Sequence, residues 1–275
     1  MLGGSAHNPS LRARVLDRIE AYYDAVPRSA ARAEEFGPLR LFVPDGAPWP
    51  YYARPAGGDV TTADVRAVRS RQWALGLPEA FEWVVDLAPT LGPAARQTGL
   101  DVRELPLMAL ERPLEAPPID ARVRRLEPDD RALPAARAVA DLAFAALGTD
   151  AGDGPRERDA ALAGYPEARL GVVRERMRTG LTVTVVAEDD DGVLAVGSHQ
   201  PVDGVTEIVG VGTLPAARRR GLGAAVTAAL VADARRGGAD VVFLSAGSDD
   251  IARMYGRLGF TRVATAGIAL PAVSS

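Results

Sequence analysis

The chain contains no cysteine. Disulfides, zinc–cysteine sites and cysteine nucleophiles are therefore excluded. Lysine is absent as well, so all 32 basic residues are arginine. Without lysine no Schiff base can form, which removes pyridoxal-phosphate chemistry. The phosphate-gripping lysine of a P-loop is missing too. With only two histidines, His7 and His199, a multi-histidine metal site could hardly be assembled within one chain. No run approaches the ~18 consecutive apolar residues that mark a membrane-spanning helix. The opening Met1–Asn8 lacks a charged leader followed by an apolar stretch, so it does not read as a signal peptide. A cytoplasmic protein without metal, membrane or nucleic-acid partners is the expectation.

What is present fits a globular enzyme-sized chain. Its 275 residues are 47% hydrophobic and 25% charged, with a net charge of -4. That length favours one large domain or two ordinary ones. The best linker is 112–119, where three prolines in eight residues discourage both helix and central strand. It separates expected domains at 1–114 and 119–275.

In the C-terminal part, Ala121–Leu126 alternates like a strand and a helix is expected over 131–147. A loose loop at Gly148–Gly154 and a charged helical stretch at 155–178 follow. Strands are expected at Leu181–Ala187, Val193–Ser198 and Val205–Thr213. Leu222–Arg236 reads as a helix with an apolar stripe at Leu222, Val226, Ala229 and Leu230, stopped by Gly237 and Gly238. A strand at Val241–Ser245, a short helix at Ile251–Leu258 and a strand at Thr261–Leu270 complete a mixed α/β pattern. The N-terminal part shows an extended segment at Trp49–Arg54, a helix at 62–76, a strand at Phe81–Val85, a short helix at Ala94–Thr98 and a strand at Asp101–Leu110. Ala94–Val102 and Tyr255–Val263 share one order: short helix, glycine, large apolar residue, strand. This is a faint internal repeat.

Chemistry concentrates at Val211-Gly212-Thr213-Leu214-Pro215-Ala216-Ala217-Arg218-Arg219-Arg220-Gly221-Leu222-Gly223-Ala224. A strand ends, a proline turn follows, and a small-residue loop opens a helix. Backbone N–H groups at a helix start are unpaired, and the dipole there favours an anion. Gly221 and Gly223 remove side chains that would block a phosphate, and arginines add charge. A diphosphate suits such a place; a solvated basic turn is the plainer alternative. A dinucleotide fingerprint is rejected, because Pro215 and three arginines separate strand from glycines. The second signal is Tyr255-x-x-x-Gly259-Phe260.

Together, Arg218-x-x-Gly221-x-Gly223 and Tyr255-Gly256-Arg257-Leu258-Gly259-Phe260 resemble the coenzyme A loop and the Y-x-x-x-G-F segment of the GCN5-related N-acetyltransferase (GNAT) superfamily. The likeness covers roughly 121–270. The N-terminal half resembles a degenerate copy, with Ala95 where the tyrosine would stand. The resemblance implies tandem GNAT-like domains, each a mixed central sheet flanked by helices, and an N-acetyltransferase using acetyl-CoA as co-substrate. Coenzyme contacts would come from Val211, Gly212, Thr213, Arg218, Arg219, Arg220, Gly221, Leu222, Gly223, Ala224 and Ser248. Transfer to a primary amine would proceed by direct attack, with the Val211 N–H at the developing oxyanion and Tyr255 as general acid. Glu207 is the candidate base, with a surface position on the strand's polar face as its alternative; His199 is a weaker candidate. Asp249 and Asp250 are expected to cap the Tyr255 helix. A small-molecule or peptide amine is the implied partner, and the chain would act as monomer or homodimer. A non-catalytic acyl-CoA-sensing module, or a purely partner-binding protein, are the competing readings.

Overall fold

The computed structural model describes residues 9–46, 49, 51–114, 117–146 and 152–272. Met1–Asn8, two linker residues and part of the Gly148–Gly154 loop lie outside them. The chain divides into two compact units, Met1–Ala109 with Ser245–Ser275, and Leu110–Leu244. The first boundary falls near the proline-rich linker. The units nevertheless differ from a linear split, since the C-terminal 31 residues group with the N-terminal part.

The first unit opens with α1 (Pro9–Arg28). It buries Leu16, Ile19, Tyr22 and Tyr23, a helical stripe of large side chains. β1 (Ala31–Phe36) and β2 (Leu39–Pro44) form an antiparallel hairpin, extended by the two-residue β3 (Arg54–Pro55). Of the extended segment expected at Trp49–Arg54, Arg54 enters this sheet as part of β3. α2 (Thr62–Ala74) starts at a reciprocal cap, in which Thr61 Oγ1 accepts from the Asp64 N–H and the Asp64 carboxylate accepts from the Thr61 N–H. β4 (Phe81–Val84), α3 (Leu91–Gln97) and β5 (Leu100–Leu110) follow.

The second unit contains β6 (Arg122–Arg125), α4 (Leu133–Ala145), α5 (Pro155–Leu162), α6 (Glu167–Arg178), β7 (Val183–Asp189), β8 (Gly192–Val202), β9 (Val205–Thr213), a 3-10 turn at Pro215–Ala217, α7 (Leu222–Arg236) and β10 (Val241–Ser245). The single charged helix expected over 155–178 is two helices, because Gly164 and Pro166 interrupt it. Strand order is β10-β9-β8-β7-β6. β10 runs parallel to β9, whereas the β6–β7, β7–β8 and β8–β9 pairs are antiparallel. This is a mixed sheet flanked by helices. α7 buries Leu222, Ala225, Val226, Leu230, Val231 and Ala234; Ala229, expected in the stripe, is only partly buried.

α8 (Asp249–Arg257) and β11 (Phe260–Pro271) return to the first unit. There β11 lies between β4 and β5. Gly267 pairs with Trp83, and a β-carbon on it would stand 2.3 Å from the indole ring, so only glycine fits. The two arms of the faint repeat are neighbours in this sheet. α3–Gly99–β5 and α8–Gly259–β11 have the same order, and both glycines take positive φ, 85° and 100°.

Candidate functional site

Within the second unit, the parallel ladder between β9 and β10 consists of Val205↔Val241, Thr206↔Val242 and Glu207↔Phe243. It goes no further along β9, so the strands part beyond Glu207. On its other edge β9 pairs with β8 through Ser198↔Val209 and then Val196↔Gly212. Gly210 and Val211 therefore stand opposite the single residue Gly197. This is a β-bulge, and Gly210 adopts φ +63° within it.

The bulge changes which face each side chain occupies. Thr206 faces α7, because it bonds His199, whose other ring nitrogen reaches Asp233 of α7. Strict alternation would turn Val211 and Thr213 to the opposite face. The extra residue brings them back to the α7 side. A β-carbon on Gly223 would lie 3.5 Å from Thr213 Oγ1 and 3.8 Å from Val211 Cγ1. The end of β9 and the first turn of α7 are thus in contact. Gly212 points the other way, where its β-carbon would meet Ala143 of α4 at 2.9 Å. By alternation before the bulge, Glu207 occupies that α4 face and is half-buried.

α7 begins at Gly221, which has φ +78° and provides no side-chain cap. The first intrahelical bond runs from the Ala225 N–H to the Gly221 carbonyl. The N–H groups of Leu222, Gly223 and Ala224 precede it and cannot bond within the helix. The first turn carries no acidic residue. A β-carbon at Gly221 would stand 3.2 Å from Ile119 and 3.4 Å from Pro117. The linker end therefore packs against the loop, and glycine is favoured there by φ, with little room for a side chain.

The three arginines do different things. Arg218 donates to the carbonyls of Ala143 and Ala146 at 3.2 and 3.1 Å. Arg220 is exposed, donating to the Asp120 carbonyl and pairing with Asp189, each at 3.3 Å. Arg219 is exposed and holds φ +64°, a conformation that non-glycine residues seldom adopt.

His199 is 2% exposed, with Nδ1 2.9 Å from Thr206 Oγ1 and Nε2 3.1 Å from Asp233 Oδ2. Burial pushes its pKa down, against the hydrogen bond and charge of Asp233. Burial alone would raise the Asp233 carboxyl, but the bond from His199 and the positive charge of Arg125 hold it below its ordinary range. A neutral ring donating from Nε2 to an ionised Asp233 and accepting at Nδ1 satisfies both directions. His199 is a core residue bonded at both ring nitrogens.

In the first unit, Tyr255 is the buried residue of α8 and is 6% exposed. Its ring meets Phe260 edge-on at 5.6 Å between centroids. Ser248 caps α8, its Oγ accepting from the Ile251 N–H at 3.3 Å. The cap expected from Asp249 and Asp250 is therefore made by Ser248; the two aspartates occupy the first turn, where they favour the helix dipole. Among predicted site residues, Val211, Thr213 and Gly223 come together on one face of β9, and Glu207 and Gly212 share the other. Gly210 and Gly197, which shape the bulge, escaped the sequence reading. A glycine inside a β-branched run was their signal.

Among the described residues no group of three or more His, Asp or Glu side chains is placed to hold a metal ion. No described helix is long and apolar enough to cross a membrane.

The second unit is thus a mixed α/β domain in which a strand end meets an uncapped, glycine-opened helix start. Residues 155–260 match the acetyltransferase (GNAT) family model, so this stretch carries a GNAT acetyltransferase domain. A GCN5-related N-acetyltransferase from Kribbella flavida is 26% identical, with a TM-score of 0.68 over 94% of this chain and 96% of that one. A GCN5-related N-acetyltransferase-like protein from Streptococcus suis matches in fold at 11% identity, TM-score 0.52, covering 94% and 99%. A tandem GNAT protein from the clavulanic acid biosynthesis pathway is similar at 18% identity, TM-score 0.50, over 86% and 79%. No curated protein sequence matches the chain.

Proposed function

We propose that the chain is an acetyl-CoA-dependent N-acetyltransferase acting on a primary amine. The observation that carries this reading is the start of α7. Three N–H groups free of intrahelical bonds, a glycine at the cap, no acidic residue in the first turn and basic side chains nearby suit a diphosphate. Leu222, Gly223 and Ala224 would hold it through their backbone, with Gly221 leaving room and Arg219 and Arg220 adding charge. The coenzyme supplies an activated acyl carbonyl. The β9 bulge leaves Val211 without a β8 residue of its own in the ladder; its N–H would receive the oxyanion, and Gly212 and Thr213 would line the same strand end.

Glu207 is assigned the base that accepts the ammonium proton, because it is half-buried on β9 where the strand leaves β10. Tyr255 is assigned the acid that delivers a proton from Oη to the leaving sulfur. That role rests on its Y-x-x-x-G-F motif, as does a coenzyme contact from the Ser248 hydroxyl. On the same ground, residues 1–114 are a degenerate GNAT-like copy and 119–275 the catalytic domain, working in the cytoplasm as monomer or homodimer.

The test is thiol release from acetyl-CoA across a panel of small-molecule and peptide amines. Amine-dependent release supports the enzyme. Tight coenzyme binding without release from any amine would favour an acyl-CoA-sensing module instead.

A further inference from the structure

Three contacts tie the stretch from the end of β9 to the loop to α4 and the start of α5. Gly212 lets α4 approach β9 so closely that a β-carbon would stand 2.9 Å from Ala143. The Ala216 N–H, in the turn before the loop, donates to the Asp153 carbonyl at 3.1 Å, just ahead of α5. Between them, one terminal nitrogen of Arg218 spans two carbonyls at the end of α4, those of Ala143 and Ala146. Carbonyls in the last turn of a helix have no intrahelical donor, and the negative end of the dipole attracts a cation there. Arg218 is half-buried, whereas Arg219 and Arg220 are exposed.

We infer that Arg218 is a positioning residue rather than a phosphate ligand: its side chain couples the last turn of α4 to the coenzyme loop. What it positions is the α4 face of β9, where Glu207 and Gly212 lie and where Phe144 is 62% exposed. The ring passes 3.8 Å from the place a Gly212 β-carbon would take. A diphosphate that orders the backbone after Arg218 would then also order that turn of α4. The idea rests on the proposed coenzyme site and deepens it.

The experiment combines calorimetry with amide hydrogen exchange on the full chain, using acetyl-CoA as probe. In the wild type, acetyl-CoA should slow exchange across Val139–Ala146 by about fivefold or more. The Ala146 N–H, which donates to the Leu142 carbonyl at 3.1 Å, is the natural reporter. In Arg218→Ala that slowing should fall below about twofold while acetyl-CoA affinity changes by less than about threefold. Arg218→Gln separates charge from hydrogen bonding, since its amide can still donate to a carbonyl. It should keep part of the slowing, and its melting curve guards against misfolding. An affinity loss of about tenfold or more in both variants, with the α4 response intact, would make Arg218 a phosphate ligand and overturn the inference. An α4 response absent from a wild type that binds coenzyme would overturn it as well. If the wild type binds no acetyl-CoA, the coenzyme reading itself fails. Exchange of the ligand-free proteins then still decides the Arg218 contact: faster α4 exchange in Arg218→Ala supports it, and equal exchange refutes it.

Discussion

Gly223 and Thr213 meet where β9 ends and α7 begins: a β-carbon on the glycine would stand 3.5 Å from the threonine hydroxyl oxygen. That is ordinary van der Waals contact, so the helix start is as near to the strand end as side chains permit. The approach depends on the bulge upstream, which returns Val211 and Thr213 to the face of α7. A strand without the extra residue would present Gly212 there instead.

The bulge can be tested by Gly210→Ala. No atom lies within 4 Å of the new methyl, so only φ +63° is strained. The backbone cost should be about 1–2 kcal/mol. If the Val211 N–H serves the oxyanion, turnover should fall by about tenfold or more, beyond what the small stability loss explains. Unchanged turnover in a folded variant would remove that N–H from the chemistry.

Gly197, opposite the bulge, is different. Its β-carbon would stand 2.9 Å from both Leu230 and Val226 and 3.1 Å from Val211. Gly197→Ala should cost about 1–3 kcal/mol by overpacking α7 against β8. Thermal unfolding reads this directly, and an unchanged midpoint would mean that α7 has room to shift.

Tyr255→Phe keeps the edge-on contact with Phe260 and removes only the hydroxyl. Turnover is expected to drop by one or more orders of magnitude, with acetyl-CoA binding retained. Steady-state rates and calorimetry together check both halves, and full turnover would exclude the acid role. Glu207→Gln should lower the rate most at neutral pH and least at high pH, where more of the amine is already neutral; a uniform loss across pH would contradict its role as base.

The His199–Asp233 pair predicts a pH dependence of stability. The buried ring has its pKa pushed below the ordinary value near 6.5, so the unfolded chain binds the proton more readily than the folded one. Stability from this group is present above about pH 6.5 and is lost as pH falls from there through the lower folded value. His199→Gln should flatten that slope in chemical denaturation between pH 7 and 5. A wild type equally stable at both ends would show that the ring does not titrate as its burial implies.

Much of the second unit was legible from residue patterns. β9, α7 and β10 begin and end where the β-branched run at Val205–Thr213, the small apolar helix and the Val241–Ser245 run place them. The loop at Arg218–Gly223 was legible as a structural feature because its signal is local: strand, proline turn, glycines, helix. The bulge was harder, since strict alternation hides a one-residue phase shift that only pairing with β8 reveals. The work of Arg218 was also hidden, because its partners lie 72 and 75 residues away. In the first unit α1 went unread, although Leu16, Ile19 and Tyr23 carry helical spacing. The grouping of Ser245–Ser275 with the N-terminal part depends on strand order, to which no local pattern testifies.

If the start of α7 binds the coenzyme diphosphate, an acidic residue placed in its first turn, Ala224→Asp, should weaken that binding. Ala224 is the third residue of a helix with no acidic first turn. A carboxylate there should stabilise α7 through its dipole by about 0.3–1 kcal/mol while repelling an anion from the same N–H groups. The melting temperature should stay unchanged or rise, while acetyl-CoA affinity measured by calorimetry falls by about tenfold or more. Wild-type affinity in that variant would contradict binding at this site.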